Sequence, residues 1–431
     1  MSVDPLIFLN NRFKLAMNKH YKVYKLNLIV ILFTFLFSCG STEKSPSKSK
    51  NYSAVDTLTI NKDFSRRLKT SELIDTYSTI LLKKDKGDPI GNFDHVQIGE
   101  NVIVVSDYIN RAVYCFDKQG NFLFPIGHKG KGPGEYDKIN DILIEEDKYV
   151  TILDGSRNML TYDLKTGKFL YDRKTNLWAL SFAKIGEYYC FHAGFMNNSD
   201  SYKDLKHNIT LLDYDTENTA KIQNKFFPYP KNSSSLVQYG FLGIWKSIDT
   251  DPIYFNQLDY NFYKLKKDKV IPIFTIEFED DIEKIDFADK KVDVNKKFDK
   301  GYFRDPDAYR LVEFAETNTH FALRMAYGRK GFFFLYDKKT GNNKSFTMLE
   351  DDLRSGLAYN QIQAIYQDKF VTIFQPHVVN YAYQQIISQP DSEAVLQKIK
   401  EENPNYYQAL ISSENVDSTD YLMVMYTYKE F

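Results

Sequence analysis

The chain has 431 residues, and its 43% hydrophobic and 26% charged composition is that of a soluble globular fold. A net charge of −1 removes the basic footprint of a nucleic-acid binder, and three cysteines exclude a dense disulfide scaffold. With 33 Phe, 32 Tyr and 2 Trp, the composition leans towards sheet, because aromatic side chains suit a pleated, half-buried surface.

Residues 17–41 read MNKHYKVYKLNLIVILFTFLFSCGS. Lys19, Lys22 and Lys25 precede a largely apolar run over 26–37. That is the length of a signal-peptide core and too short for a spanning helix of about 20 residues. The run ends in Ser38-Cys39-Gly40, which resembles a bacterial lipobox, although Phe37 is bulkier than the residue usual there. The resemblance implies acylation of Cys39, which would become the first residue of the mature chain. Asp4 and Pro5 precede Met17, a second candidate start. Residues 40–51 (GSTEKSPSKSKN) have the composition of a flexible tether. The expected division is a lipoprotein signal peptide over 1–38, a tether over 39–54 and one globular domain over 55–431. Multiple acyl chains on one cysteine anchor stably where a single chain does not. The expected location is therefore the cell envelope, at the outer membrane, with its periplasmic or surface side left open.

Further along, the chain repeats itself. Residues 95–127 divide into HVQIGE, NVIVVSD, YINR, AVYCFD, KQG and NFLFPIG, and 140–174 into NDILIEE, DK, YVTILD, GSRN, MLTYD, LKTG and KFLYDRK. Each is a meander of four β-rich runs joined by short turns, with Gly120 and Gly167 in equivalent turns 47 residues apart. Fainter copies follow at 187–218, 252–276, 320–348 and 368–385. A β-sandwich would not repeat one strand–turn phrase at a fixed spacing. The expected fold is all-β: a six-bladed β-propeller of four-stranded antiparallel blades.

Between the first two units lies GHKGKGPGEY, residues 127–136. Its glycines and lysines suggest a phosphate loop, but such a loop needs Gly-Lys-Ser/Thr followed by a helix. Here Gly132 is followed by Pro133, which lacks an N–H, and by Glu135, which repels an anion. The segment reads instead as a crossing between blades. Gly130, Gly132 and Gly134 answer to backbone geometry, Glu135 accepts backbone N–H bonds, and Tyr136 packs between blades.

Later features read as insertions. Residues 280–318 are highly charged, and a solvated insertion explains their Lys/Asp-rich run better than calcium binding. Residues 390–402 (PDSEAVLQKIKEE) predict a short helix with Asp391 as N-cap, ended by Asn403-Pro404. To close the ring, the early strand DTLTI (56–60) is expected to pair with the final strand YLMVMYTYKEF (421–431).

The phrase G-x-x-G-x-G-x-G-E-Y, followed by an apolar strand and YVTILDGSRNMLTYDLKTG, resembles the NHL-type propeller repeat. With the lipobox, the chain is similar to the six-bladed propeller lipoproteins of Bacteroidetes over about 55–431. One departure is Ser418-Thr419-Asp420, where that family often has Pro before the last strand. The resemblance implies a fold and an envelope location, and no established reaction.

Candidate chemistry is sparse. The histidines at 20, 95, 128, 192, 207, 320 and 377 show no zinc-ligand spacing, and no Gly-x-Ser-x-Gly elbow occurs. Neither a metal, a cofactor nor a catalytic set is expected. Cys115 and Cys190 read as buried thiols in strands. In a four-stranded meander, the second-to-third turn and the crossing between blades share one face. That places Asp107, Arg111, Asp154 and Arg157 with the glycine-rich crossing, and His192, Asn256, Arg324, Gln375 and His377 at or near equivalent strand ends. For Asp107 and Asp154 a turn-capping role competes with ligand contact; Arg324 and His377 are the stronger pocket candidates. The leading expectation is a monomeric, lipid-anchored binding or scaffold protein that recognises a peptide, glycan or partner protein on this face. The alternatives are an NHL-like hydrolase or lyase with a channel site, and an accessory subunit of an outer-membrane transport or sensing system.

Overall fold

The second strand of each early repeat is an unbroken apolar run, and such a strand is stable only where both its faces are covered. VIVVSD and YVTILD are buried over their last five residues, whereas the outermost FLYDRK alternates half-buried and exposed positions. This gradient from doubly covered inner strands to half-exposed outer ones is what stacking blades around a ring produces. The structure, a computed structural model, describes residues 56–431 apart from 61–65, 85–89, 216–217, 231–232, 234–242, 246–250, 257–259, 279–308, 328–329, 353–360 and 416–419. Cys39, Met17, the tether and most of the charged 280–318 insertion lie outside the described residues.

Six antiparallel sheets of four strands form the ring. Blade 1 comprises Phe93–Ile98, Val102–Asp107, Ala112–Asp117 and Phe122–Pro125. Blade 2 comprises Ile139–Glu145, Tyr149–Asp154, Asn158–Asp163 and Phe169–Lys174. Blade 3 runs from Ser181–Ile185 to Ala220–Pro228, blade 4 from Ile244–Trp245 to Val270–Phe278, and blade 5 from Tyr309–Glu316 to Asn343–Phe346. The core is a series of apolar seams between adjacent blades. One such seam joins Val104, Val113 and Cys115 of blade 1 to Ile142, Val150 and Ile152 of blade 2. Cys115 and Cys190 are both buried and free, and burial pushes the Cys115 thiol up to about 12.

The glycine-rich crossing is a joint between blades. Gly134 has φ +72°, and a Cβ there would also press on the Phe169 ring. At Gly130 the reason is space: a Cβ would run into the Glu135 carboxylate. That carboxylate accepts the Gly132 N–H at 2.7 Å and lies 2.8 Å from His128 Nε2. Tyr136, fully buried between blades 1 and 2, donates its hydroxyl to Ile126 O at 3.0 Å and accepts Val113 N–H at 3.1 Å.

The ring closes on a different amino-terminal strand from the one expected. Blade 6 consists of Ala364–Tyr366, Lys369–Phe374, Tyr421–Tyr428 and Ile74–Leu82, the last supplied from the start of the domain. Ile74–Leu82 pairs antiparallel with Tyr421–Tyr428, from Leu82 opposite Tyr421 to Ile74 opposite Tyr428. Asp56–Ile60, the expected partner, instead adds a parallel fifth strand to the outer edge of blade 4, against Val270–Phe278. The nine-residue Ile74–Leu82 can cover the whole of the last strand, whereas five residues would leave part of it unpaired.

The helical insertion is larger than predicted. Ser392–Glu402 is the expected helix, but Pro376–Ile387 and Pro404–Ser412 flank it. The first of these takes the place of the strands expected in the faint copy at 368–385. Pro376 starts it at the first helical position, where a missing N–H costs nothing, and Val379, Ala382, Tyr383 and Ile386 then bury one helical stripe. All three helices lie between the second and third strands of blade 6. Asn403 caps the third helix by accepting Tyr406 N–H at 3.2 Å and also accepts the Thr79 hydroxyl, while Asn405 Nδ2 donates to Thr79 O at 2.9 Å. The insertion therefore grips the closing strand.

Two outcomes test this architecture. Tyr136→Phe should lower unfolding stability by about 1–3 kcal/mol, since it strips one partner from two buried backbone groups; an unchanged denaturation midpoint would contradict the joint. A chain starting at residue 66 should keep one cooperative unfolding transition, whereas one starting at residue 84 should lose it. Loss of the transition already in the chain starting at residue 66, read by calorimetry, would restore 56–60 as the closing strand.

Candidate functional site

The second strands end on the face where the chain crosses between blades, and Asp107, Asp154, His192 and Asn256 all occupy such ends. Asp107 is fully buried, and its carboxylate accepts the N–H groups of Gly91, Asn92, Ile109 and Asn110 at 2.7–3.2 Å. Asp154 repeats the device in blade 2, accepting from Asp137, Lys138 and Ser156 at 3.0–3.1 Å. Each aspartate thus ties its turn to the entry of its own blade's first strand. These bonds take up the carboxylates and leave them poorly placed to meet a ligand. Asn256 is also buried.

His192 is fully buried against Tyr254, at a ring separation of 5.5 Å, and neither ring nitrogen has a hydrogen-bond partner. Burial alone holds its imidazole neutral, pulling it down to about 3. Arg111 and Arg157 sit at equivalent turn positions with φ +51° and +70°. Arg111 lies 3.6 Å from the Asp137 carboxylate. Arg157 rests 4.0 Å over the Trp178 ring and donates to Ser201 Oγ at 2.7 Å. These residues are distributed around the face and do not converge.

Gln375 and His377 do converge with other groups. A pocket of about 600 Å³ opens where blades 5, 6 and 1 meet. Asn92, Phe93 and Asp94 enter it from the start of blade 1, Glu313 from the first strand of blade 5, and Gln361 and Gln363 from the start of blade 6. Phe374, Gln375 and His377 complete it from the end of the second strand of blade 6 and the first helix of the insertion. Gln375 Nε2 donates to Asn92 Oδ1, which stitches blade 6 to blade 1 across the ring closure. Gln363 Oε1 accepts the N–H of Ile373.

Both pocket carboxylates are already engaged. Glu313 accepts Arg324 Nη2 at 2.5 Å on one oxygen and Ile362 N–H at 3.0 Å on the other. Burial pushes the Glu313 carboxyl up, and the adjacent guanidinium only partly offsets this. Arg324 therefore lies mid-strand, behind the pocket wall, with its Nε buried and unpartnered. Asp94 lies 3.3 Å from His95 Nε2, and that contact holds its carboxyl below the usual range. His95 Nδ1 is in turn 3.5 Å from the buried Asp141 of blade 2. Among the described residues, no group of three or more His, Cys, Asp or Glu could hold a metal ion.

Asn92, Asp94, Glu313, Gln361 and Gln363 were not singled out from the sequence. Their signal was the position of polar residues at or just before a blade's first strand, the strand nearest the ring axis. NFDHV carries it plainly; Gln361 and Gln363 precede a strand of only three residues and Glu313 follows the charged insertion, so neither stood out.

Comparison with known proteins supports the fold. No curated protein matches the chain. The structure is similar to that of an inferred exported protein of Bacteroides fragilis, with TM-score 0.64 at 18% identity over 88% of this chain and 100% of that one. A DUF4221-family member from Bacteroides vulgatus aligns over 83% of this chain and 98% of its own, at 9% identity and TM-score 0.43. No described helix is long and apolar enough to cross a membrane. The family model described as Domain of unknown function (DUF4934) matches residues 55–407, nearly the whole propeller, and the chain belongs to that family.

Proposed function

We propose that the protein is an exported binding module, acylated at Cys39 and displayed from the outer membrane on the tether over 39–54. It works as a monomer and holds a peptide, glycan or partner protein in the pocket between blades 5, 6 and 1. The pocket is the observation that carries this reading. It is concave, about 600 Å³ in volume, and joins apolar walls to a few convergent polar groups, as small-ligand sites generally do. A rigid ring supports it from three blades, so its polar groups are pre-positioned and little ordering is needed on binding. The positive n-region, apolar core and Ser38-Cys39-Gly40 support export and anchoring.

Metabolic labelling with an alkyne fatty acid should tag the wild-type chain and leave Cys39→Ser untagged in the soluble fraction. Equal tagging of both would overturn the anchor. Gln361→Ala combined with His377→Ala should preserve the unfolding transition and cut retention of cell-envelope material by the immobilised protein about tenfold. Undiminished retention would overturn the pocket as the binding site.

A further inference from the structure

The pocket's chemistry narrows its ligand. Most of its uncommitted polar side chains are amides, with the exposed imidazole of His377 beside them. Among the described residues, Gln375 Oε1 and Asn92 Nδ2 remain open beside the single bond that joins those two side chains. Gln361, which is exposed at the pocket, has both ends of its side-chain amide open. Its two carboxylates, by contrast, are matched by Arg324 and His95. A cationic ligand would compete with Arg324 for Glu313 and with His95 for Asp94, and an anion would meet both carboxylates at close range. Neutral amides offering donors and acceptors side by side suit a ligand that is itself uncharged and presents donors and acceptors together.

Aromatic side chains lie beside these polar groups. Phe93 and Phe374 form part of the wall. Tyr108 donates its backbone N–H to Asn92 O at 3.0 Å, yet its side chain is 64% exposed. Tyr381 lies one helical turn beyond His377, on the same stripe of the helix, and is 65% exposed. Both residues thus stand next to members of the pocket lining, Asn92 and His377.

We propose that this pocket binds a neutral saccharide, its hydroxyl pairs met by Gln361, Gln375 and Asn92 and its apolar C–H faces by Tyr108 and Tyr381. Hydroxyls both donate and accept, so each amide meets an adjacent hydroxyl pair without an unpaired partner, and flat apolar sugar faces lie against aromatic rings. This assignment rests on the pocket being the binding site.

The test probes the full-length mature protein on an array of neutral oligosaccharides (glucans, mannans, xylans and galactans), followed by calorimetric titration of the strongest binder. At least one neutral series should bind. Gln361→Ala should weaken it about tenfold, the cost of one or two lost hydrogen bonds. Tyr108→Ala and Tyr381→Ala should each weaken it several-fold, and Leu123→Ala, on an exposed outer strand, should leave it unchanged. Absence of binding to any neutral series, or equal binding by Gln361→Ala, overturns the saccharide assignment. Retention of a peptide library that Gln361→Ala abolishes would also overturn it while leaving the pocket as the site. Retention of peptides unaffected by any pocket variant would overturn both.

Discussion

The ring depends on one pairing, the antiparallel ladder between Ile74–Leu82 and Tyr421–Tyr428. A propeller with an unfinished last blade leaves a row of unpaired N–H and C=O groups and an open seam on each side. Here the two ends of the domain meet in a single sheet, and Asn403 and Asn405 of the helical insertion hold the closing strand at Thr79. The insertion's apolar stripes complete the same seam, since Val379, Tyr383, Tyr406 and Leu410 share one cluster with Ile74, Leu422 and Tyr426. Asp56–Ile60 is then free to cover the outer edge of blade 4.

The pocket lies where this closure occurs. Tyr421 begins the last strand, and its hydroxyl donates to Ile90 O at 2.9 Å, one residue before the Gly91–Asn92 entry held by Asp107. Gln375 then reaches Asn92 from the far side of the seam. The same bonds that finish the ring thus set the spacing of the pocket's amides. Inner-strand carboxylates do related work elsewhere: Asp141 accepts Phe182 N–H of blade 3 at 2.9 Å, and Glu313 accepts Ile362 N–H ahead of blade 6. Acidic groups near the axis hold neighbouring blades together, and open amides remain in the pocket.

Much of the fold was legible because the repeat has a strict physical cause. Doubly covered strands must be apolar throughout, their turns need residues such as Asp117 and Gly120, and the joint at 127–136 needs Gly130 to make room for Glu135. The closing strand was misassigned because DTLTI alternates cleanly, whereas IDTYSTILL follows a one-turn helix and mixes polar with apolar residues. PHVVNYAYQQ falls within the faint sixth copy of the repeat; Pro376 and the spacing of Val379, Ala382, Tyr383 and Ile386 carry the helical signal. Of the face residues, Gln375 and His377 reached the pocket, while Asp107 and Asp154 serve their turns. The remaining pocket residues come from separate blades, and only the ring brings them together.

Hydrogen–deuterium exchange of the mature protein, with and without envelope extract from the producing cells, tests the central claim most directly. The account predicts new protection in peptides covering 90–95, 361–363 and 373–381, where three blades form the pocket. Protection confined to the outer strands at 121–125 and 169–174, with the pocket peptides unchanged, would contradict it.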